Sequence, residues 1–387
     1  MKPRLLFVGR NRYRLPLDAS LARKFDALGE RFEVRVLASA PAGAPTGDAV
    51  FTLVPPFPVR PLDGLVFYLA LPVRTARELR RFRPDAVVAQ SAYEAAATLV
   101  ARRLARVPAR VVLDVHGDWR TSTRLYGARG RKLLAPIGDA VAAAAVRRAD
   151  AVRTITGYTT ELVRSYGVEP QDVFPAFMDL EPFTEPPVAS LPTAPRALFI
   201  GVLEPYKNID GLADAWRIAA PKLPGATLHI VGEGTRTDVV EQLLADVPGQ
   251  TQWTRSLTTP EVAAALDAAT CLVLPSRSEG MGRVVVEAFC RGRAVIGAGV
   301  GGIRDLVEDG ANGLLVDPSS ADDVAAALVR VLGDRGLAER LGAGALESSH
   351  AWRATPAQYA DRLRLLVDAS LQPRRERAST RSTARPS

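Results

Sequence analysis

A chain of 387 residues, 47% hydrophobic and 24% charged, is long enough for two domains with real cores, which excludes a disordered or fibrous protein. The formal net charge of +8 is divided unevenly: residues 1–190 hold 28 Lys and Arg against 19 Asp and Glu, residues 191–371 hold 17 against 22, and residues 372–387 hold 5 against 1. The two cysteines, Cys271 and Cys290, lie in apolar segments and point to buried thiols in a reducing compartment; no secretory signal and no apolar run of about 18 residues is visible, so a cytoplasmic protein is expected.

The amino-terminal half alternates strand-like and helix-like runs: LLFV, a helix from about Asp18 to Leu28, VRVLA, a helix from about Gly64 to Phe82, AVVA, a helix from Ala92, and RVVLDV. Such alternation predicts βαβ units and a parallel sheet, with Asp18 and Asp63 as helix caps. The first strand leads into GRNRYRLP, which stands where a nucleotide fold puts its phosphate loop but has one glycine, Gly9, and three arginines, so it is no dinucleotide fingerprint. The segment from Pro61 to Arg83 carries LVFYLALPV followed by Arg74, Arg77, Arg80, Arg81 and Arg83. An apolar stripe with a basic end can rest on an anionic membrane, but packing on the sheet is the favoured reading, and Pro72 is expected to bend or interrupt the helix. Nucleic acid is not expected as a partner, because no recognition module or aromatic-interleaved basic sheet occurs.

The stretch RVVLDVHGDWR ends an apolar strand in His116, Gly117, Asp118 and Trp119. Of three histidines, His229 lies inside a strand-like run and His350 precedes the last helix, so only His116 stands where a strand meets an open cleft. There an imidazole can donate to a sugar hydroxyl or position an acceptor, with Asp118 and Trp119 as lesser candidates for acceptor contact. Arg147 to Val168 reads as a strand and a capped helix, and the proline-rich FPAFMDLEPFTEPPVASLPTAP is the linker.

The second half repeats the alternation. Lys207 lies in the loop after RALFI, where an ammonium can stabilise a leaving diphosphate. The segment CLVLPSRSEGMGRVVVEAFC then reads as strand, glycine loop and helix, an arrangement that aims free backbone N–H groups at an anion, with Glu279 in the loop and Glu287 in the helix suited to hydroxyls. Amphipathic helices follow, and the final QPRRERASTRSTARPS is polar, basic and expected to be disordered.

Glu279 and Glu287, with Pro275-Ser276 before them and GRAVIGAGVGGIRDLVEDGANGLLVDP after them, resemble the signature of glycosyltransferase family 4. The resemblance implies a GT-B fold: two Rossmann-like α/β domains facing across a cleft, with a final helix crossing back to the first. On it, residues 1–185 form an acceptor-binding domain, 186–195 the linker, 196–350 a nucleotide-sugar-binding domain, 351–371 the crossover helix and 372–387 the tail. It also implies retaining transfer of a hexose-type sugar from a nucleotide-sugar to a glycan, lipid-linked or small-molecule acceptor, with no metal and no cofactor. His116, Lys207 and Glu279 would be the catalytic groups. Gly9, Gly201, Gly232, Arg277, Gly280, Met281, Gly282, Arg283 and Glu287 would bind the donor. Where that family often has an arginine partnering the lysine, this chain has Val202; either another arginine, such as Arg10, Arg12, Arg277 or Arg283, supplies the second charge, or phosphate stabilisation is weaker and donor choice altered. Three rival readings are a phosphorylase or epimerase on the same architecture, a non-catalytic nucleotide-sugar-binding protein, and an extracytoplasmic sugar-binding protein, the last disfavoured by the missing export signal.

Overall fold

The computed structural model describes residues 2–59, 62–120, 129–185 and 188–372. Among these residues the first half has seven strands: β1 (Arg4–Arg12), β2 (Glu33–Ser39), β3 (Phe51–Val54), β4 (Ala86–Ala89), β5 (Arg110–Val115), β6 (Ala151–Thr154) and β7 (Asp172–Val173). They form one sheet in the order β3-β2-β1-β4-β5-β6-β7, with every pairing parallel. The second half has six: β8 (Arg196–Ile200), β9 (Thr227–Val231), β10 (Thr251–Thr254), β11 (Cys271–Leu274), β12 (Ala294–Ala298) and β13 (Gly313–Val316). Their order is β10-β9-β8-β11-β12-β13, again all parallel. The central strands are buried on both faces, which is why they read as continuous apolar runs and not as alternation.

In each sheet the chain starts in the middle and reverses direction, between β1 and β4 and between β8 and β11. Loops leaving the carboxyl ends of strands on either side of such a reversal form a crevice, the place where open α/β sheets hold ligands. The chain therefore has two switch points, one per half. The last helix, Pro356–Leu371, packs on the amino-terminal half: Tyr359, Leu363 and Val367 join the core around Phe25 and Phe51, and Arg31 pairs with Asp361 at 2.5 Å.

Several local expectations change. Asp18 caps the helix Ala19–Arg31 by accepting the Leu21 N–H, but Asp63 is not a cap; it sits in the first turn of the helix Asp63–Phe82, where its carboxylate accepts the Phe57 N–H and pairs with Arg10. Pro72 does not interrupt that helix, whose inner residues Phe67, Leu71, Leu79 and Phe82 are buried on the sheet. Packing outweighs the lost hydrogen bond. β3 and the two-residue β7 were not expected, being too short to show a period. Cys271 and Cys290 are buried free thiols. The basic tail lies outside the described residues beyond Gln372.

Candidate functional site

The loops after β8 and β11 meet at the second switch point. Lys207 Nζ donates to Glu279 Oε1 at 2.5 Å, and the Ser276 hydroxyl donates to the same oxygen at 3.1 Å. The loop that carries the lysine is anchored by Asn208, whose buried side chain donates to the Pro275 carbonyl (3.0 Å) and the Pro318 carbonyl (2.7 Å) and whose φ of 59° turns the chain into the helix Ile209–Ala219. Gly201, at the end of β8, lies against the lysine stem, and Gly232 at the end of β9 packs on the Gly201 carbonyl. Arg277 is engaged elsewhere: its guanidinium donates to Asp210 at 2.7 Å and to the Pro205 carbonyl at 2.8 Å.

Gly282, with φ of 77°, ends this loop and opens the helix Arg283–Cys290. A left-handed residue here leaves the first-turn N–H groups facing the loop, which is the anion-binding geometry of a helix start. Met281 is buried behind it, Arg283 is exposed, and Glu287 is partly buried. Burial raises the Glu287 carboxyl above its usual range, with Arg283 acting against that shift. Gly302 donates its N–H to the Glu279 carbonyl at 2.8 Å, so the loop of Gly301 and Gly302 backs the Glu279 turn.

The amino-terminal half approaches this loop at the end of β5. A side chain on Gly280 would put its Cβ 1.9 Å from the His116 carbonyl oxygen, so only glycine permits the two halves to come this close. The Thr156 hydroxyl donates to the Gly280 carbonyl at 3.0 Å. His116 is oriented from below, with Nε2 2.8 Å from Asp114 Oδ2, while Asp114 is also bound at 2.8 Å by the buried Arg153. Burial pushes the Asp114 carboxyl up, but Arg153 and then His116 outweigh it and hold it well below the usual range. The carboxylate is therefore a permanent anion that fixes the ring.

Two cavities flank this contact. One, of about 670 Å³, lies on the amino-terminal half and is lined by Arg10, Arg12, Gln90, Glu94, His116 and Asp118 among others. Gly9 borders it from behind, since a Cβ there would strike Gln90. Trp119 lines it too, but is only 6% exposed and packs against Tyr166 with ring centroids 5.4 Å apart. Asp118 is bound by Arg120 at 2.8 Å and by the Tyr158 hydroxyl at 3.2 Å. The other cavity, about 1030 Å³, spans both halves and is lined by Arg10, Arg12, Asp63, Val202, Gly234 and Arg255 among others. Val202, 49% exposed, thus shares a cavity with Arg10 and Arg12, two of the arginines named as sources of the second positive charge. Neither lining includes Lys207 or Glu279.

Asn208, Thr156, the Asp114–Arg153 pair, Glu94 and Arg255 were not singled out from the sequence. One signal was present: an acid and a base stand alone inside two apolar strands, VVLDV and AVRT, and oppositely charged residues in neighbouring buried strands are most cheaply accommodated as a pair.

Residues 184–348 match the family model for glycosyl transferases group 1, and residues 19–181 match the model for glycosyltransferase family 4. The chain is 26% identical over 323 residues to a sulfoquinovosyl transferase of Arabidopsis thaliana, covering 77% of this chain and 60% of that one. It is 29% identical over 277 residues to a GDP-mannose-dependent phosphatidylinositol monomannoside mannosyltransferase of Mycobacterium tuberculosis, covering 66% of this chain and 69% of the relative. The match thus spans less than two thirds of the plant relative's own length. Among solved structures, sucrose-phosphate synthase from Thermosynechococcus elongatus superposes with a TM-score of 0.74 at 18% identity, covering 95% of this chain and all of that one. Anabaena HepE in complex with UDP and glucose superposes with a TM-score of 0.67 at 17% identity, covering 93% and 99%. These likenesses show the fold, and it is the two-domain GT-B architecture.

Proposed function

We propose that this chain, which carries in its two halves the two glycosyltransferase domains of a GT-B protein, transfers a sugar from a nucleoside-diphosphate donor to a hydroxyl of a glycan, lipid-linked or small-molecule acceptor. The observation that carries the reading is the meeting of Lys207, Glu279 and the start of the helix Arg283–Cys290 at one switch point, within backbone contact of His116 on the other half. The diphosphate takes the Lys207 ammonium from Glu279 and lies at the mouth of the helix, where both stabilise the charge that develops as the sugar–phosphate bond breaks. Glu279, released from the lysine, accepts hydroxyls of the sugar, and His116, held by Asp114, donates to it from across the cleft. Glu287, one turn into the helix, accepts from the ribose. The acceptor enters from the cavity lined by Glu94 and Asp118.

The reaction we propose is retaining, uses a hexose-type sugar and needs no metal, because the ammonium and the helix terminus already supply positive charge at the diphosphate. Calorimetric titration with UDP and GDP, followed by incubation with their sugars and a panel of acceptors in EDTA, tests it. Binding of one diphosphate and its release on transfer, with the new linkage in the donor's anomeric configuration, is expected. Binding of neither diphosphate would refute the reading; strict dependence on manganese or inversion at the anomeric carbon would refute the finer part. Turnover that requires orthophosphate would identify a phosphorylase instead.

A further inference from the structure

Three helices of the amino-terminal half, Asp63–Phe82, Ala92–Ala105 and Arg129–Arg148, pack side by side in one layer on the sheet. The outer face of this layer is unusual in what it shows to solvent. On the first helix Leu65, Leu69 and Val73 follow one another at four-residue spacing and are all exposed, Leu69 to 70%. Continued to Arg77 and Arg81, the row winds about 40° round the helix at each step and ends in exposed cations at the carboxyl end. Val100 and Leu104 on the second helix and Ile137 and Val141 on the third are exposed as well. These seven are half of the fourteen large hydrophobic side chains exposed among the described residues, gathered on one layer of one domain.

The charge on this layer has a single sign. Arg77, Arg80, Arg81, Arg103, Arg147 and Arg148 are exposed. Among the described residues of the three helices no carboxylate is exposed: Glu78 and Glu94 are buried, Asp63 pairs with Arg10, and Asp139 is partly buried. At the foot of the layer a cavity of about 730 Å³ is lined by Arg80, Arg83, Arg106 and Arg110, with Asp85 the one acid in its lining. Arg80 also donates to the Leu104 carbonyl at 2.5 Å, so the basic end of the first helix and the apolar end of the second adjoin.

We infer that this layer docks on an anionic phospholipid bilayer, its leucines and valines seated at the acyl boundary and its arginines among the lipid phosphates. Outward apolar residues on helices whose exposed charges are all cationic are complementary to that surface, and to no other chemistry so fully. A second copy of the chain would bring the same arginines against one another, and a nucleic acid would leave the apolar stripe without a partner. The orientation also suits the cleft. The apolar end of the stripe starts beside Asp63, which lines the 1030 Å³ cavity together with Phe57, itself exposed, so docking would set the mouth of the cleft at the bilayer. Resting on the proposed transferase reading, this narrows the acceptor to a molecule anchored in the membrane, its headgroup reaching the cleft while its tails stay in the lipid.

Flotation of the full chain with phosphatidylcholine vesicles, with or without phosphatidylglycerol, tests the docking without any donor or acceptor. Binding to the anionic vesicles only, weakening as salt is raised, is expected. Leu65→Asp combined with Leu69→Asp should abolish it, while Arg77→Gln combined with Arg81→Gln should weaken it about thirtyfold, since each cation near an anionic surface contributes roughly fivefold. Both variants should keep the wild-type Tm and nucleoside-diphosphate affinity, because the altered residues lie outside the cleft. Equal binding to neutral vesicles, unchanged flotation of the double aspartate variant, or a solution dimer that this variant dissociates would each overturn the inference. A chain that floats but binds no nucleoside diphosphate would leave the docking standing and remove the transferase reading; a chain that transfers sugar but never floats would do the reverse.

Discussion

Lys207 ends on a carboxylate that a bound anion would have to displace, and this sets what its replacement should do. Lys207→Met removes the ammonium and leaves Glu279 as a largely buried charge without its cation, so it is best read beside Glu279→Gln. If the lysine stabilises the departing diphosphate, Lys207→Met should lower kcat by about 10²–10³, the usual loss for one preorganised donor. A Lys207→Met protein with kcat within a few-fold of wild type and only a raised KM would show that the lysine merely binds. Lys24 allows a test that needs no substrate. Burial lowers its ammonium from 10.5 to about 8, so between those values the unfolded chain holds more protons than the folded one and stability rises with pH. Below that window the buried charge is a constant penalty. Lys24→Met should therefore raise Tm more at neutral pH than near pH 10, and an equal gain at both would refute the assignment. At this scale the placement of Lys207, Glu279 and His116 at the carboxyl ends of strands was legible in the sequence, because each stands in a loop after an apolar run. Asn208 and Thr156 could not, since their importance lies in which distant carbonyl they reach.

At the scale of elements, the glycine loop between β11 and its helix joins the halves through backbone as well as side chains. Gly280→Ala would drive a Cβ into the His116 carbonyl, and backbone on both sides cannot yield as a flexible side chain would. The expected outcome is a widened cleft, with kcat/KM reduced by more than tenfold while the thermal transition falls by only a few degrees, because the clash is relieved by domain separation and not by disrupting a core. A drop in Tm large enough to unfold the chain at assay temperature, with normal activity below it, would contradict this. Asn208→Ala should behave differently, costing roughly 1–3 kcal/mol of stability because the Pro275 and Pro318 carbonyls lose their donor and the lysine loop its anchor. Alternation of strands and helices was legible because both sheets are parallel and their strands doubly buried. What stayed hidden were β3 and β7, too short for a pattern, and the fate of Pro72, where the apolar inner face of a 20-residue helix decides against the local rule.

Across the whole molecule, the linker is less free than its prolines suggested. Arginines of the second half donate to its carbonyls, the buried Arg293 to Ala189 at 2.9 Å and the exposed Arg335 to Leu191 at 3.1 Å and Pro192 at 3.0 Å, so residues 189–192 move with that half. Tyr359 on the last helix is in turn buried in the first half's core, fixing the returning chain to the other side. What holds the halves together beyond those connections is a clasp: the Tyr158 N–H donates to Asp305 at 2.7 Å, Arg304 pairs with Glu161, and Thr156 binds the Gly280 carbonyl. Arg304 and Glu161 are exposed, so their pair contributes little on its own. Asp305 faces the start of the helix Gly157–Arg164, where a carboxylate is favoured by the helix dipole, and it is the stronger part. Asp305→Ala should therefore loosen the closed form more than Arg304→Gln does. The expected result is a larger radius of gyration in small-angle scattering and a raised KM for donor with kcat nearly kept, since saturating donor re-closes the cleft through the diphosphate. If Asp305→Ala leaves both the scattering and the KM unchanged, closure is set by the linker and the returning helix alone, and the contact at Gly280 is a consequence of that closure and no part of its cause.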